Sequence, residues 1–337
     1  MPDPQSPQAQ LVEMAMAHWV SRLIYVAAEL NLADHLDGGM KTAAELAGLT
    51  GTDAPSLYRL MRTLSSLGLF SEDSTHRFSL TPMGKALKTG DADSVRTAVL
   101  MLAGDIFTKA HEQMLYSVRT GKSGFEKIFG APLFEWLAKH PMEAAMFNKA
   151  IVGIHGAEPA AVAEAYDFSD FNTITDVGGS TGNLLTTILR RHPKPRGTLF
   201  DLPHVVRDAP ALIEARGLTD RVNIEAGSFF ERIPGGSDVY LLSHIIHDWS
   251  EEQCLAILRN CRQAMKPGAR LLIVEMVLAA GDAPHPGKLL DIVMLTIPGG
   301  QERTEQEYRE LLEKAGLRLA RVVPTPSAVA VVEAFTT

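Results

Sequence analysis

Three groups of residues in the second half of the chain have the types and the placement that chemistry requires. The segment Asp176-Val-Gly-Gly-Ser-Thr-Gly182 follows a β-rich run and precedes a helical one. Its small residues let the backbone approach a ligand at the carboxyl edge of a parallel sheet. Nineteen residues beyond Gly182, Asp201 closes the next β-rich run in Phe-Asp-Leu-Pro, where a carboxylate can accept from both hydroxyls of a ribose. The spacing is not that of a dinucleotide fingerprint, because positions 178, 180 and 183 read Gly, Ser and Asn; NAD is therefore disfavoured. His247 follows the fourth β-rich run and so stands on the same carboxyl edge. A histidine there can take a proton from a hydroxyl near neutral pH, provided an acceptor holds its second nitrogen and fixes the tautomer. The plainer alternative is a strand-end histidine with a structural hydrogen bond. His244, three residues earlier, reads as structural, and Asp248 as shaping the strand end or the base's surroundings. No group of ligand-type residues has the linear spacing of a metal site, and proton abstraction requires no metal.

These residues need a sheet to hold them. Runs at Thr173 to Val177, Gly197 to Asp201, Arg221 to Glu225, Asp238 to Leu242 and Arg270 to Val277 alternate with helical stretches, the pattern of a mostly parallel sheet with crossover helices. Two further runs, near Arg318 to Val323 and Ala328 to Phe335, are expected to close it as an antiparallel pair. Ser250 with Gln253 and Thr304 with Glu307 form capping boxes for two helices, the first ending at Pro267 and Gly268. Cys254 and Cys261 are seven residues apart on that first helix, roughly 10 Å along its axis, beyond disulfide reach; they read as core thiols.

The first half is different in kind. From Leu11 to Leu30 apolar residues cover nearly the whole helix circumference, more than one chain's core needs, so a partner subunit can cover the remainder. Between Lys41 and Leu87 a capping box at Thr42 and Glu45, a helix carrying Leu57, Leu60, Met61, Leu64 and Leu67, and two short strands at Phe70 and Arg77 to Leu80 form a winged-helix pattern. Residues 96–165 are helical and read as a connecting layer. The expected division is thus 1–95 helical and winged helix, 96–165 helical layer, and 166–337 Rossmann-like α/β domain.

Four motifs carry a resemblance: DVGGSTG from Asp176, FDLP from Phe200, LLSHIIHDW ending at Trp249, and GGQERTEQEY from Gly299. Over nearly its whole length the chain resembles the caffeate-type and bacterial hydroxyneurosporene-type class I O-methyltransferases, which depend on S-adenosylmethionine and join a winged-helix dimerisation domain to a Rossmann-like domain. The resemblance implies that Asp176, Gly178, Ser180 and Gly182 form the turn against the cofactor. It also implies that Asp201 and Leu202 lie at the cofactor's ribose, Ser228 and Phe229 at its adenine, and Ser243 beside it. It makes His247 the base and Glu275 and Glu302 its supporting glutamates. Ser180 stands where a glycine is usual and Ser228 where an acid is usual. His155 falls near a position that contacts the cofactor's carboxylate, with a helix-surface histidine as the alternative. Trp249 and Met276 read as core.

Met146, Phe147, Met294 and Ile297 offer an apolar lining that suits an aromatic or polyketide-like acceptor, and equally suits a core. The expected activity is methylation of a hydroxyl on a small natural product by a homodimer. The alternative is a repurposed relative that keeps the cofactor but hydroxylates, decarboxylates or rearranges its substrate. A DNA-binding winged helix, with Arg59 and Arg62 on phosphates, is opposed by a net charge of -8 and the large attached α/β domain. The first ten residues lack a basic n-region and the Leu11 to Leu30 stretch carries charges, so a cytoplasmic location without membrane insertion is expected.

Overall fold

The computed structural model describes residues 6–91 and 93–336; the first five residues, on which part of the leader reading rests, lie outside them. The chain forms two compact units. One comprises the residues up to Lys109 together with Glu135–Ile154, the other Ala110–Phe134 together with His155–Thr337.

In the first unit the helix Pro7–Glu29 is capped by Ser6, whose side chain accepts from the Ala9 amide. Within this unit only Ala27 and Ala28 of that helix are buried, while Leu11, Met14 and Trp19 stand exposed. The helix Ala43–Thr50 starts from the Thr42–Glu45 capping box, and Ala54–Ser66 from an Asp53 cap. Strands β1 (Lys41–Thr42), β2 (Phe70–Glu72) and β3 (Arg77–Leu80) form an antiparallel sheet in the order β1-β3-β2. β1 was not expected; it is two residues long and pairs only through Lys41 and Thr42. Leu32, Leu46, Met61, Leu64, Phe70 and Phe78 make the buried core of this winged helix. The helices Arg96–Leu102 and Pro141–Ile154 pack on each other in the same unit.

The second unit is built on a seven-stranded sheet. Its strands are β4 (Thr173–Val177), β5 (Arg196–Asp201), β6 (Val222–Ala226), β7 (Val239–Ser243), β8 (Arg270–Glu275), β11 (Leu317–Pro324) and β12 (Ala330–Thr336), in the order β11-β12-β8-β7-β4-β5-β6. β4 to β8 are parallel, and β12 and β11 close the sheet antiparallel. Fully buried Leu, Ile and Val on these strands pack under helices on both faces, as a parallel sheet requires. The helix Glu251–Ala264 has the expected Ser250–Gln253 box but ends at Ala264, three residues short of Pro267. Cys254 and Cys261 are buried free thiols on it.

The run expected from Arg270 to Val277 breaks at Met276. The chain leaves β8 and pairs through β9 (Val277–Leu278) with β10 (Arg303–Thr304), Val277 opposite Arg303. That small parallel ladder brings the residues after the Gly299-Gly300 turn alongside the end of β8. Among the described residues no helix is long and apolar enough to cross a membrane.

Candidate active site

At the end of β4 the chain turns sharply. Gly178, Ser180 and Gly182 all have positive φ, at 72°, 55° and 86°. Glycine adopts this region freely, whereas Ser180 does so at a steric cost. Its amide donates to Asp201 Oδ2 at 2.8 Å, and the Leu202 amide to Asp201 Oδ1 at 2.6 Å. Asp201 thus bridges the glycine turn and the end of β5, and each oxygen keeps a second lone pair. A Cβ on Gly178 would strike the Ile245 side chain, and one on Gly179 would lie 2.5 Å from a Leu199 methyl. Phe229 lies beside the same turn, 3.4 Å from where the Gly178 Cβ would be. Ser228 accepts from the Phe230 amide. Ser243 is half-buried at the end of β7, and Leu202 is exposed.

Asp176 is buried beneath the turn, and neither carboxylate oxygen has a hydrogen-bond partner among the described residues. Burial, aided by the nearby Asp201 charge, pushes its carboxyl up to about 7.

His247 sits on a single 3-10 turn, Ile246–Asp248, after β7. Its Nδ1 is 2.6 Å from Glu302 Oε1, and the two side chains are 7% and 0% exposed. Facing the Glu302 carboxyl oxygen, Nδ1 carries a hydrogen, so Nε2 is the nitrogen free to give up or take a proton as the ring changes charge. Glu275 does something else. Its Oε1 accepts from the backbone amides of Ile245 and His247, each at 3.1 Å, and its Oε2 accepts a short hydrogen bond from the Tyr308 hydroxyl. It fixes the turn rather than the imidazole ring. Asp248 Oδ1 is 3.7 Å from His247 Nε2.

The Glu302 side is secured just as firmly. Its amide donates to Asp291 Oδ1 at 2.9 Å, and the Gln301 amide to the His247 carbonyl at 2.8 Å. A Cβ on Gly300 would run into that same carbonyl oxygen. The buried Arg303 guanidinium donates to the Ile246 and Gln301 carbonyls. Upstream, Ser123 Oγ donates to the Ile297 carbonyl at 2.7 Å and accepts from the Glu126 amide at 3.1 Å, while His111 contacts Thr296 Oγ1 at 2.9 Å.

Burial alone would push the His247 imidazole down. The Asp248 charge, the bond to Glu302 and the Glu275 charge outweigh it and lift it to about 10. Burial lifts Asp248 to about 7 against the pull of His247.

The structure thus joins His247, Glu275 and Glu302, and joins Asp176, Gly178, Ser180, Asp201 and Phe229 around one turn. Met294 and Ile297 are buried in the second unit; Met146 and Phe147 are half-buried on the helix Pro141–Ile154 of the first. Trp249 and Met276 are half-buried against the core. Two expectations are corrected. His155 is not a surface histidine: its ring is half-buried against that of His244, centroids 3.8 Å apart, and its Nδ1 lies 2.9 Å from Glu158 Oε2. Ligand-type groups without linear metal spacing do converge, as His155, Glu158 and His244 and as His247, Glu275 and Glu302, because the fold unites residues far apart in sequence. Sequence reasoning missed Tyr308, Asp291, Arg303, Ser123 and Glu158. Only Arg303, next to Glu302, and Tyr308, on the inner face of the last helix, carried any sequence signal.

The chain belongs to the O-methyltransferase family: the family's O-methyltransferase domain matches residues 111–318 and its dimerisation domain residues 12–90. It is an S-adenosylmethionine-dependent O-methyltransferase. It is 43% identical to the phenazine O-methyltransferase of Lysobacter antibioticus, over 96% of this chain and 95% of that protein. The crystal structure of LaPhzM superposes with a TM-score of 0.93 at 42% identity, covering 98% of this chain and all of the other. That of NcsB1, from neocarzinostatin biosynthesis, was solved in complex with S-adenosylmethionine and 2-hydroxy-5-methyl naphthoic acid. It superposes with a TM-score of 0.82 at 33% identity, covering 94% of this chain and 96% of the other.

The residues present fit that cofactor. In the turn after β4 a Cβ on Gly178 or Gly179 would strike Ile245, Leu199 or Asp176, so the backbone there stays bare, and Asp176 beneath it is a buried carboxyl whose oxygens have no hydrogen-bond partner among the described residues, suited to a cationic ligand.

Proposed function

We propose that His247 is the general base of a methyl transfer to a hydroxyl of a small aromatic or polyketide-like natural product, carried out by a cytoplasmic homodimer that associates through its N-terminal domain. The observation that carries this reading is the buried 2.6 Å contact between His247 Nδ1 and Glu302, which leaves Nε2 to face the reacting hydroxyl. When bound, S-adenosylmethionine supplies a methyl group on a sulfonium, which an oxygen nucleophile can take. Gly178, Ser180 and Gly182 would hold its amino-acid part and Asp201 its ribose hydroxyls. Leu202, Ser228, Phe229 and Ser243 would complete its walls.

The acceptor oxygen must lose its proton. A phenol has a pKa of about 10, and the carboxylates around His247 raise its imidazole to about 10 as well. Transfer of the proton from the hydroxyl to Nε2 is thereby more favourable than to an ordinary histidine, and the imidazolium is held by Glu302 on one side and Asp248 on the other. Glu275 keeps the turn rigid, so positioning needs no reorganisation during the step. Exposed Leu11, Met14 and Trp19 on the first helix support association through that face, and the acidic chain supports a small-molecule partner rather than nucleic acid.

The test is His247→Ala. Turnover should fall by about 10²-fold or more while S-adenosylhomocysteine affinity measured by calorimetry stays within about twofold. Loss of cofactor binding in parallel would make His247 structural. A panel of phenols offered to the wild type, read by a mass gain of one methylene, separates methylation from repurposed chemistry.

A further inference from the structure

We propose that His155, Glu158 and His244 form a binding site for one divalent transition-metal ion of the zinc type. The three side chains come from two places. His155 and Glu158 flank the start of the helix Glu158–Ala165, and His244 follows β7. Their donor atoms lie within 4.8 Å of one another. Glu158 Oε2 is 2.7 Å from His244 Nε2 and 2.9 Å from His155 Nδ1, so one carboxylate oxygen sits between two imidazole nitrogens. His155 Nδ1 is not aligned to donate to that oxygen, and His244 Nδ1 is also buried without a hydrogen bond among the described residues. Hydrogen bonding within the cluster therefore leaves ring nitrogens unused.

Two imidazoles and one carboxylate are the donor set that borderline divalent ions take, at about 2.0–2.2 Å from each atom. Ligands at that distance around a tetrahedral ion lie about 3.4 Å from one another, so the donor atoms, now 2.7 and 2.9 Å from the shared carboxylate oxygen, would need to part by only about half an ångström. The backbone holds them there. His244 has φ of 52°, a left-handed conformation that a histidine adopts only when its surroundings impose it. Its amide donates to the Val274 carbonyl at the edge of β8. The rings of His155 and His244 lie against each other with centroids 3.8 Å apart and planes tilted by 32°. All three residues are half-buried, with 13–18% of each side chain exposed.

The second converging group, His247, Glu275 and Glu302, does not compete on these terms. It is fully enclosed, and both oxygens of Glu275 are committed to the Ile245 and His247 amides and the Tyr308 hydroxyl.

The experiment uses the full-length protein stripped with a chelator and titrated with Zn²⁺ by calorimetry and with Co²⁺ by visible absorption. One ion per chain is expected, with affinity falling at least about tenfold in both His155→Gln and Glu158→Gln. X-ray absorption at the zinc edge of the wild type should count two imidazole ligands, a result that does not depend on how the variants fold. Failure of the wild type to bind either ion, unchanged affinity in both variants, or a coordination shell with fewer than two imidazoles overturns the proposal. So does loss of binding in His247→Ala alone, which would move the ion to the enclosed group.

Discussion

Replacing Glu302 by Gln tests the electrostatic half of the base mechanism while keeping its geometry. The glutamine oxygen can still accept from His247 Nδ1, so the tautomer survives and only the charge is lost. A charge pair about 4 Å apart is worth about 4 kcal/mol at an effective dielectric constant of about 20. At 1.36 kcal/mol per unit, that equals about 3 pKa units for an isolated pair. Asp248 and Glu275 remain beside His247, so the imidazole should fall by about 1–2 units rather than the full amount. The sign is fixed by the direction of the shift. His247 is protonated below its raised pKa, and the form able to take the phenolic proton accumulates as pH rises. The wild-type kcat/KM should therefore climb with pH through neutrality. In Glu302→Gln the climb should begin at lower pH and level off about 10- to 100-fold lower, because the imidazolium is less stabilised. The assay is methyl transfer against pH, alongside calorimetry with S-adenosylhomocysteine. A profile that loses height without moving along the pH axis would show that Glu302 serves the structure and not the charge.

Ser123→Ala removes one hydroxyl that serves a buried carbonyl and a part-buried helix amide, so it should cost about 1–3 kcal/mol in a denaturant titration; kcat should fall while cofactor affinity holds, through loosening of the turn that carries Glu302. Asp176 has a folded-state pKa raised from 3.8 to about 7. Its contribution to stability is therefore present below about pH 4 and lost as pH rises toward about 7. Relative to the wild type, Asp176→Asn without cofactor should thus gain thermal stability between pH 4.5 and 8, by at most about 4 kcal/mol; a difference that does not change with pH would mean that the carboxylate is not forced to ionise in a buried place. Trp19→Glu places a charge on the exposed apolar face of the first helix and should shift sedimentation from dimer toward monomer, with an unchanged value contradicting association through that face.

The elements were legible where a local signal was strong. The Thr42, Ser250 and Thr304 capping boxes mark helix starts that the structure reproduces, and the β-rich runs mark the strands within a residue or two. Very short ladders were not legible. β1, β9 and β10 are two residues each, too short for any alternation to register, and their pairing depends on partners distant in sequence. The same limit applies to the site. His247, Glu275 and Glu302 could be named, but not the division of labour in which Glu302 holds the ring and Glu275 the backbone, because that depends on where β8 breaks. Glu158 lies in a helical stretch that carries no motif, and Ser123, though it opens a helix in Ser-Gly-Phe-Glu126, gains its link to the Ile297 carbonyl only through tertiary contact.

The helix Pro286–Thr296 is tied to the base at both levels: Asp291, near its middle, anchors the Glu302 amide, and its end at Thr296 and Ile297 is pinned by His111 and Ser123. A shift of this helix is thereby transmitted to Glu302 and, through it, to the His247 ring. Leu289, which is 78% exposed on the same helix, lies off these anchors, so a new side chain there leaves them in place.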